Sequence, residues 1–156
     1  MTLYLKQRVF TFRDRFTVYD ADGGERYFVK GELFSFGKRL HLLNTHEEEI
    51  ARIRQSCFHF RPTYQIEEGE RHLATVIREF TFFRQLYTVE GPNWQVKGNF
   101  FDHEYTVYDG DTAIATVSRE WFTLGDAYAI HINDAVNPIL ALSVVLVIDA
   151  CLASDD

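Results

Sequence analysis

The chain has 156 residues, of which 46% are hydrophobic and 15% aromatic, which is enough apolar material for the core of one domain and excludes a disordered protein. Its formal net charge of −7 argues against non-specific binding to nucleic acid, which depends on clustered Lys and Arg, and against wholesale attraction to anionic membranes. Fourteen Phe and eight Tyr beside one Met and three Pro favour β-sheet. We therefore expect a single β-rich domain over residues 1–156.

In chain order, the N-terminal segment comes first. Residues 1–10 alternate between apolar and polar types, carry Lys6 and Arg8, and lack the long apolar run of a signal peptide. The two cysteines, Cys57 and Cys151, are too few for a disulfide framework and lie in no zinc-binding spacing. We expect reduced thiols, no metal, no cofactor and a cytoplasmic protein that is at most peripheral to a membrane.

Turn signals such as Asp22-Gly23-Gly24 and Asp109-Gly110-Asp111 recur about every ten residues. Between them we predict twelve strands, near 7–12, 15–19, 26–33, 39–44, 50–56, 59–66, 74–81, 85–90, 94–101, 104–109, 113–121 and 127–133. Residues 45–56 are the weakest of these assignments, because their run of three Glu could begin a helix instead. Gly31 and Gly98 in mid-strand predict a bulge or a tight barrel corner.

The end of the chain differs from the rest. Pro138 opens an uncharged apolar run, Ile139–Ile148, which continues past Asp149 to Ala153, and Asn137 is placed to cap it as a helix. Such a helix is about 15 residues and ~23 Å long, whereas a membrane core needs about 20 apolar residues. Because it is apolar on every face, it must be surrounded by protein. We predict a closed antiparallel β-barrel of about twelve strands with this helix filling its lumen.

Asp149 is the one ionisable residue in the apolar run. A carboxylate there must either reach solvent near the helix end or, if it is buried, hold a proton or pair with an Arg. We expect it to reach solvent.

The sequence contains no nucleophile elbow, P-loop or dinucleotide-binding glycine motif. The six His residues lie without metal-site spacing. His103 between Asp102 and Glu104 is interpreted as surface polarity, and Cys57 near His59 as a structural cysteine. We expect no catalytic and no metal-binding residues, and therefore a protein that is not an enzyme.

A basic patch is the best candidate for a binding site. Arg52 and Arg54 share one strand face by alternation, Lys38 and Arg39 lie in a neighbouring loop, and Arg61 follows soon after. Several Lys or Arg side chains together can bind an anionic group such as a lipid headgroup, although solvated strand faces often show the same pattern.

The sequence resembles a known family, the LURP-one-related proteins of the Tubby C-terminal-like group, to which phospholipid scramblases are related in fold. The resemblance covers nearly the whole chain and is most specific near its end. The segments that carry it are Phe16–Asp20 with Gly23, the Val-Lys-Gly strands at 29–31 and 96–98, Ala115–Arg119, Ser118–Tyr128, Ile130–Asn133 and Leu140–Asp149. The resemblance implies a twelve-stranded barrel around a central hydrophobic helix, in agreement with the pattern of the residues.

The resemblance implies less about activity. Relatives are described as membrane-tethered transcription regulators, phosphoinositide binders, lipid-scrambling proteins and plant defence proteins, while the LURP-one-related branch has no established biochemistry. We expect a non-catalytic barrel that binds a phosphoinositide-like lipid headgroup or a protein partner through its outer wall. One alternative is a membrane-tethered or scramblase-like protein anchored by the C-terminal helix, which burial of Leu146 would count against. Another is a small-ligand carrier or enzyme with a pocket at a barrel mouth.

Overall fold

The computed structural model describes residues 1–6, 15–34, 37–56, 61–80, 85–100, 102–122 and 125–154. Within these ranges the chain forms twelve strands followed by one helix. The elements are β1 (Thr2–Leu5), β2 (Arg15–Asp20), β3 (Glu25–Phe34), β4 (Gly37–Leu43), β5 (Glu49–Ser56), β6 (Thr63–Glu68), β7 (Arg71–Phe80), β8 (Gln85–Glu90), β9 (Trp94–Asn99), β10 (Glu104–Asp109), β11 (Thr112–Phe122), β12 (Gly125–Ile132) and α1 (Pro138–Ser154).

The strands form one closed antiparallel barrel. Each strand pairs with its neighbours along the chain, and β1 closes the sheet by pairing with β12, where Leu3 lies opposite Ile130. Closure leaves neither edge of the sheet exposed to another chain. The predicted mainly-β fold, a closed barrel of about twelve strands with a C-terminal helix, is confirmed.

The first strand lies earlier in the chain than the sequence predicts. The first strand was expected at 7–12, but β1 is Thr2–Leu5, where Leu3 and Leu5 alternate into the core; residues 7–14 lie outside the described residues.

The run of three Glu does not begin a helix. Asn44 instead accepts hydrogen bonds from the backbone N–H groups of His46 and Glu48 through its side chain, which makes a turn, and β5 begins at Glu49.

The lumen of the barrel is filled by α1. Alternate residues of the strands point inward and most of these are apolar, and the helix residues from Ala141 to Leu152 are buried among them. Leu146, on the middle of the helix, has no exposed surface. A helix that is apolar on all sides is stable in water only when other elements cover all of it, and a closed sheet does so.

The start of the helix follows the capping chemistry expected from the sequence. The side-chain oxygen of Asn137 accepts hydrogen bonds from the N–H groups of Ile139, at 3.0 Å, and Leu140, at 3.4 Å, and Pro138 occupies the first helical position. With 17 residues the helix is about 25 Å long. Among the parts of the chain that the structure describes, no helix is long and apolar enough to cross a membrane.

Gly98 marks a close approach between β9 and β10. Its φ is 152°, and a Cβ at this position would lie 2.5 Å from both the Cα of Tyr105 and the carbonyl oxygen of Glu104. Neither mid-strand glycine marks a bulge, because Gly98 lies in continuous register opposite Tyr105 and Gly31 opposite Leu40. Gly98 marks instead a place where the backbones of two strands come close together.

We expect Gly98→Ala to lower the free energy of unfolding by at least about 2 kcal/mol, because the added methyl group meets backbone that cannot move aside. Chemical denaturation monitored by tryptophan fluorescence measures the loss. Gly110→Ala is the matched control: it has a positive φ of 59° but nothing within 4 Å of the added carbon, so we expect only about 1 kcal/mol. Equal losses in the two variants would contradict the assigned close contact.

We expect Leu146→Ala to lower the free energy of unfolding by about 3 kcal/mol, because the emptied space in the lumen is enclosed by a sheet that collapses only partially. Leu140→Ala, in the half-buried first turn of the same helix, is the control and should cost less. A Leu146→Ala loss no larger than the control would show that the helix does not fill the core as described.

Candidate functional site

The outer wall of β4 and β5 carries three arginines. Leu40 and Ile53 point into the barrel and are buried, so alternation sends the neighbouring Arg39, Arg52 and Arg54 to the outside. The register places Arg39 directly opposite Arg54 on the adjacent strand. The three guanidinium groups therefore occupy one face of the barrel.

Arg52 and Arg54 converge on a single carboxylate, that of Glu67 on β6. Arg52 donates to Oε2 from Nη2 at 2.6 Å and from Nε at 3.3 Å, and Arg54 donates to Oε1 from Nη2 at 2.9 Å and from Nε at 3.1 Å. The Arg52 Nη2 group also donates to the carbonyl oxygen of Gly69 at 3.2 Å. Each guanidinium donates two hydrogen bonds to one oxygen of Glu67, so the two arginines together bind both oxygens of the carboxylate through charge-assisted hydrogen bonds.

The Glu67 carboxylate is charged under ordinary conditions. Partial burial acts to raise its pKa, but the hydrogen bonds and charges of Arg52 and Arg54 outweigh this effect and hold the pKa below its usual range. The side chain of Glu67 is 13% exposed, against 29% for Arg52 and 42% for Arg54. The carboxylate thus lies beneath the two guanidinium groups, which remain open to solvent.

Acidic residues surround this arginine group on the β3 and β5 side. His41 lies between two carboxylates, with Nδ1 at 2.5 Å from Glu49 and Nε2 at 3.3 Å from Glu32. Glu49 also approaches Arg52 at 3.8 Å. The register also places Glu32 opposite Arg39. The face is consequently of mixed charge.

The predicted basic patch is brought together in part. Arg39, Arg52 and Arg54 are neighbours, but Lys38 belongs to the row of β4 that points into the barrel, because adjacent residues of a strand face opposite sides. Arg61 is exposed just before β6 and forms an ion pair with Glu79 of β7 at 2.5 Å. The structure therefore separates Lys38 and Arg61 from the other three.

Sequence reasoning missed Glu67. It lies 15 residues after Arg52 and 13 after Arg54, and its role follows from the register, which places it directly opposite Arg52. Alternation along β6, with Ile66 buried, would have placed Glu67 on the outer face. The pairing itself could not be read from one strand.

A second polar site lies inside the barrel. Asp149 is only 8% exposed, and its carboxyl oxygen accepts a hydrogen bond of 2.7 Å from the hydroxyl group of Tyr105. The expectation that this carboxyl reaches solvent is wrong, because the barrel wall extends past the helix turn that carries it. Burial raises the pKa of Asp149 to about 7, although the Tyr105 hydrogen bond acts in the opposite direction.

The positions weighed for catalysis do not form a catalytic arrangement in the described structure. Asp102 accepts a hydrogen bond of 2.6 Å from the side chain of Asn99, and the His103 ring packs 5.4 Å from that of Tyr128. Cys57 and His59 lie outside the described residues. In the described part of the chain, no group of three or more His, Cys, Asp or Glu side chains could hold a metal ion.

An open depression of about 330 Å³ lies where β11 begins and β12 ends. Its polar side chains are those of Thr116, His131 and Asn133. His131 already contacts Glu120 at 2.9 Å and Thr2 at 3.1 Å. The depression therefore offers few polar groups that converge on a bound molecule.

We expect Glu67→Gln to lower the free energy of unfolding by about 1–2 kcal/mol at pH 7, because two guanidinium groups lose their common counterion. The Glu67 pKa is lowered in the folded protein, so its contribution is present above the pKa of about 4 that the unfolded chain has and is lost as the pH falls through the folded value. Urea unfolding of both proteins at pH 7 and pH 3 measures this. Glu79→Gln, whose carboxylate forms an ion pair with Arg61 and accepts a hydrogen bond from Thr88, is the control with the smaller expected loss. An equal loss would contradict the double pairing of Glu67.

Comparison with known proteins agrees with this architecture. The family model described as LURP-one-related matches residues 1–149. The uncharacterized protein YxjI of Bacillus subtilis (strain 168) is 29% identical over 154 residues, which cover 99% of this chain and 95% of that protein. An Arabidopsis thaliana protein of known X-ray structure has a similar fold, with a TM-score of 0.68 and 17% identity over 96% of this chain and 90% of its own. The chain belongs to the LURP-one-related family.

Proposed function

We propose that this protein is a non-catalytic binding protein that takes up an anionic group, of the kind carried by a phosphoinositide headgroup, on the outer wall of β4–β6. The observation that carries the proposal is the convergence of Arg52 and Arg54 on one carboxylate. Glu67 fills the Nε and Nη2 side of both guanidinium groups, so a phosphate would be bound on the outward side, where the Nη1 group of Arg54 can donate to its oxygens.

Arg39 extends this site toward the solvent. It lies opposite Arg54 in the β4–β5 ladder, so a third cation stands beside the pair. Glu67 occupies the inner side of the two guanidinium groups, and Arg54 keeps 42% of its side-chain surface open. A phosphate could therefore approach Arg39 and Arg54 from solvent while Glu67 holds the arginines in place from behind.

The interior of the barrel supports a binding role over a catalytic one. The lumen is occupied by the chain's own helix, with Leu142 and Leu146 fully buried, so a substrate has little room there. The depression at β11 and β12 has few converging polar groups. Burial of Leu146 likewise argues against the alternative in which α1 serves as a membrane anchor, because the anchor would have to leave the core.

We expect vesicles containing phosphatidylinositol bisphosphate to bind the protein in co-sedimentation, with weaker binding at 0.5 M than at 0.1 M salt because charge attraction is screened. Arg39→Ala/Arg54→Ala should weaken this binding about thirtyfold, since each cation near an anionic surface contributes about 1 kcal/mol. Neutral phosphatidylcholine vesicles and phosphatidylserine vesicles serve as the comparison surfaces.

The matched control removes two positive charges elsewhere. Arg26 and Lys97 are both exposed, and Lys97 lies on β9, five strands away around the barrel from β4. Arg26→Ala/Lys97→Ala should leave binding nearly unchanged, and the unfolding midpoints of both double variants show whether each is folded. Equal weakening in the two variants would contradict the assigned site. Absence of binding to every vesicle would overturn the headgroup assignment and leave a protein partner as the candidate.

A further inference from the structure

The contact between Tyr105 and Asp149 joins the barrel wall to the C-terminal half of α1. The Tyr105 hydroxyl group donates to Asp149 at 2.7 Å and lies 3.4 Å from the carbonyl oxygen of Val145, one helical turn earlier. Phe100 stacks on the Tyr105 ring at 5.6 Å and keeps it in position. One phenol thus contacts two successive turns of the helix.

Asp149 depends on this single contact. Among the described residues, Tyr105 is its one hydrogen-bond partner, and no described cation forms an ion pair with it. A carboxylate buried among apolar side chains without a cation is unfavourable, whereas a protonated carboxyl group is tolerated. The geometry therefore favours the protonated, neutral form of Asp149 while this end of α1 is buried in the barrel.

Other ionisable groups share this end of the interior. Those on the inward rows of the described strands, or on the helix itself, are Tyr64 of β6, Arg78 of β7, Tyr87 of β8, Tyr128 of β12 and Cys151 of α1. Lys38 of β4 and Arg119 of β11 lie on inward rows too, nearer the mouth, and Arg119 is exposed. Burial raises the pKa of Tyr64 far above its usual range, and the charge of Arg78 opposes this shift only in part. Tyr105 is likewise kept neutral, since burial and Asp149 raise its pKa.

The direction of the pH effect follows from the Asp149 environment. Burial raises the pKa of Asp149 to about 7 in the folded protein, against about 3.9 for an exposed Asp. The folded state thus binds the proton more tightly than an opened state does. The proton on Asp149 therefore stabilises the folded state fully below pH ~4. This stabilisation is lost progressively as the pH rises to ~7 and is absent above that.

We propose that Asp149 is a proton-dependent latch on the C-terminal half of α1: the protonated carboxyl holds this end of the helix in the barrel, loss of the proton loosens it, and the hydrogen bond from Tyr105 sets the pH at which this happens. The proposal does not depend on what binds the outer wall. In this proposal the pH of the solution controls how far the C-terminal end of α1 is exposed to solvent.

Cys151 provides the reporter for the test. It lies two residues after Asp149 on α1 and is 3% exposed, so a thiol reagent reaches it only when this end of the helix opens. In a Cys57→Ser background it is the sole thiol of the chain. Labelling by an aromatic disulfide reagent is followed from pH 5.5 to pH 8, and each rate is divided by that of the urea-unfolded protein at the same pH to remove the ionisation of the thiol itself.

We expect the corrected labelling rate of the protein with native Asp149 to rise roughly thirtyfold between pH 5.5 and pH 8. Asp149→Asn should abolish the pH dependence while keeping an acceptor for Tyr105. Tyr105→Phe should move the transition to higher pH, since the hydrogen bond that favours the charged carboxylate is lost. A pH-independent rate in the native protein, or an unchanged profile in Asp149→Asn, would overturn the latch.

Hydrogen exchange of backbone amides tests the same proposal without a substitution. After correction for intrinsic exchange rates, raising the pH from 5.5 to 8 should increase exchange in the last turns of α1 and leave β3–β5 unchanged. An equal increase throughout the barrel would mean general destabilisation and contradict a local latch.

Discussion

The structure depends on one constraint, the complete burial of an apolar helix by a closed sheet. Residues Ala141–Leu152 have no polar face to present to water, so the sheet must surround them, and a sheet that surrounds a helix has to close on itself. The pairing of β1 with β12 and the apolar inner rows of the strands both serve this purpose. Specific chemistry is thereby confined to two places, the outer wall and the few polar positions that the core tolerates.

On the outer wall, the arrangement around Glu67 brings guanidinium groups together on the surface of an acidic protein. The net charge of −7 concerns the whole chain, whereas recognition of an anion depends on the groups within about one Debye length, ~8–10 Å. Within that distance, Glu67 orders two guanidinium groups and neutralises one of them. A partly buried counterion beneath half-buried arginines gives rigidity to side chains that would otherwise lose conformational freedom on binding a ligand.

Much of the fold could be predicted from the sequence because its two strongest signals are local. The uniform apolarity after Pro138 indicates a surrounded helix, and alternation between turn signals indicates strands. The position of β1 could not be predicted, because alternation continues through residues 1–10 and does not show where a short strand begins. The candidate site was predicted less completely: Lys38 and Arg39 are adjacent in sequence and therefore face opposite sides of β4.

The parts of both sites that the sequence did not reveal are those formed by distant residues. Glu67 joins Arg52 only through the register of β5 and β6, and Tyr105 reaches Asp149 across 44 residues of chain. Neither pairing leaves a trace in local composition. The environment of Asp149 was misjudged for the same reason, since the distance from a helix end to solvent depends on how far the surrounding wall extends.

The position of α1 at the centre of the barrel also has a consequence for the order of folding. The helix follows all twelve strands in the sequence, and the seam between β1 and β12 joins opposite ends of the sheet sequence. During synthesis the strands leave the ribosome before the element that fills their core. The first strand can pair with β2 at once, but its second partner, β12, is made last. Such long-range contacts slow folding and keep apolar strand faces uncovered in the meantime. Until the helix has been made, the inner faces of the barrel have nothing to cover them.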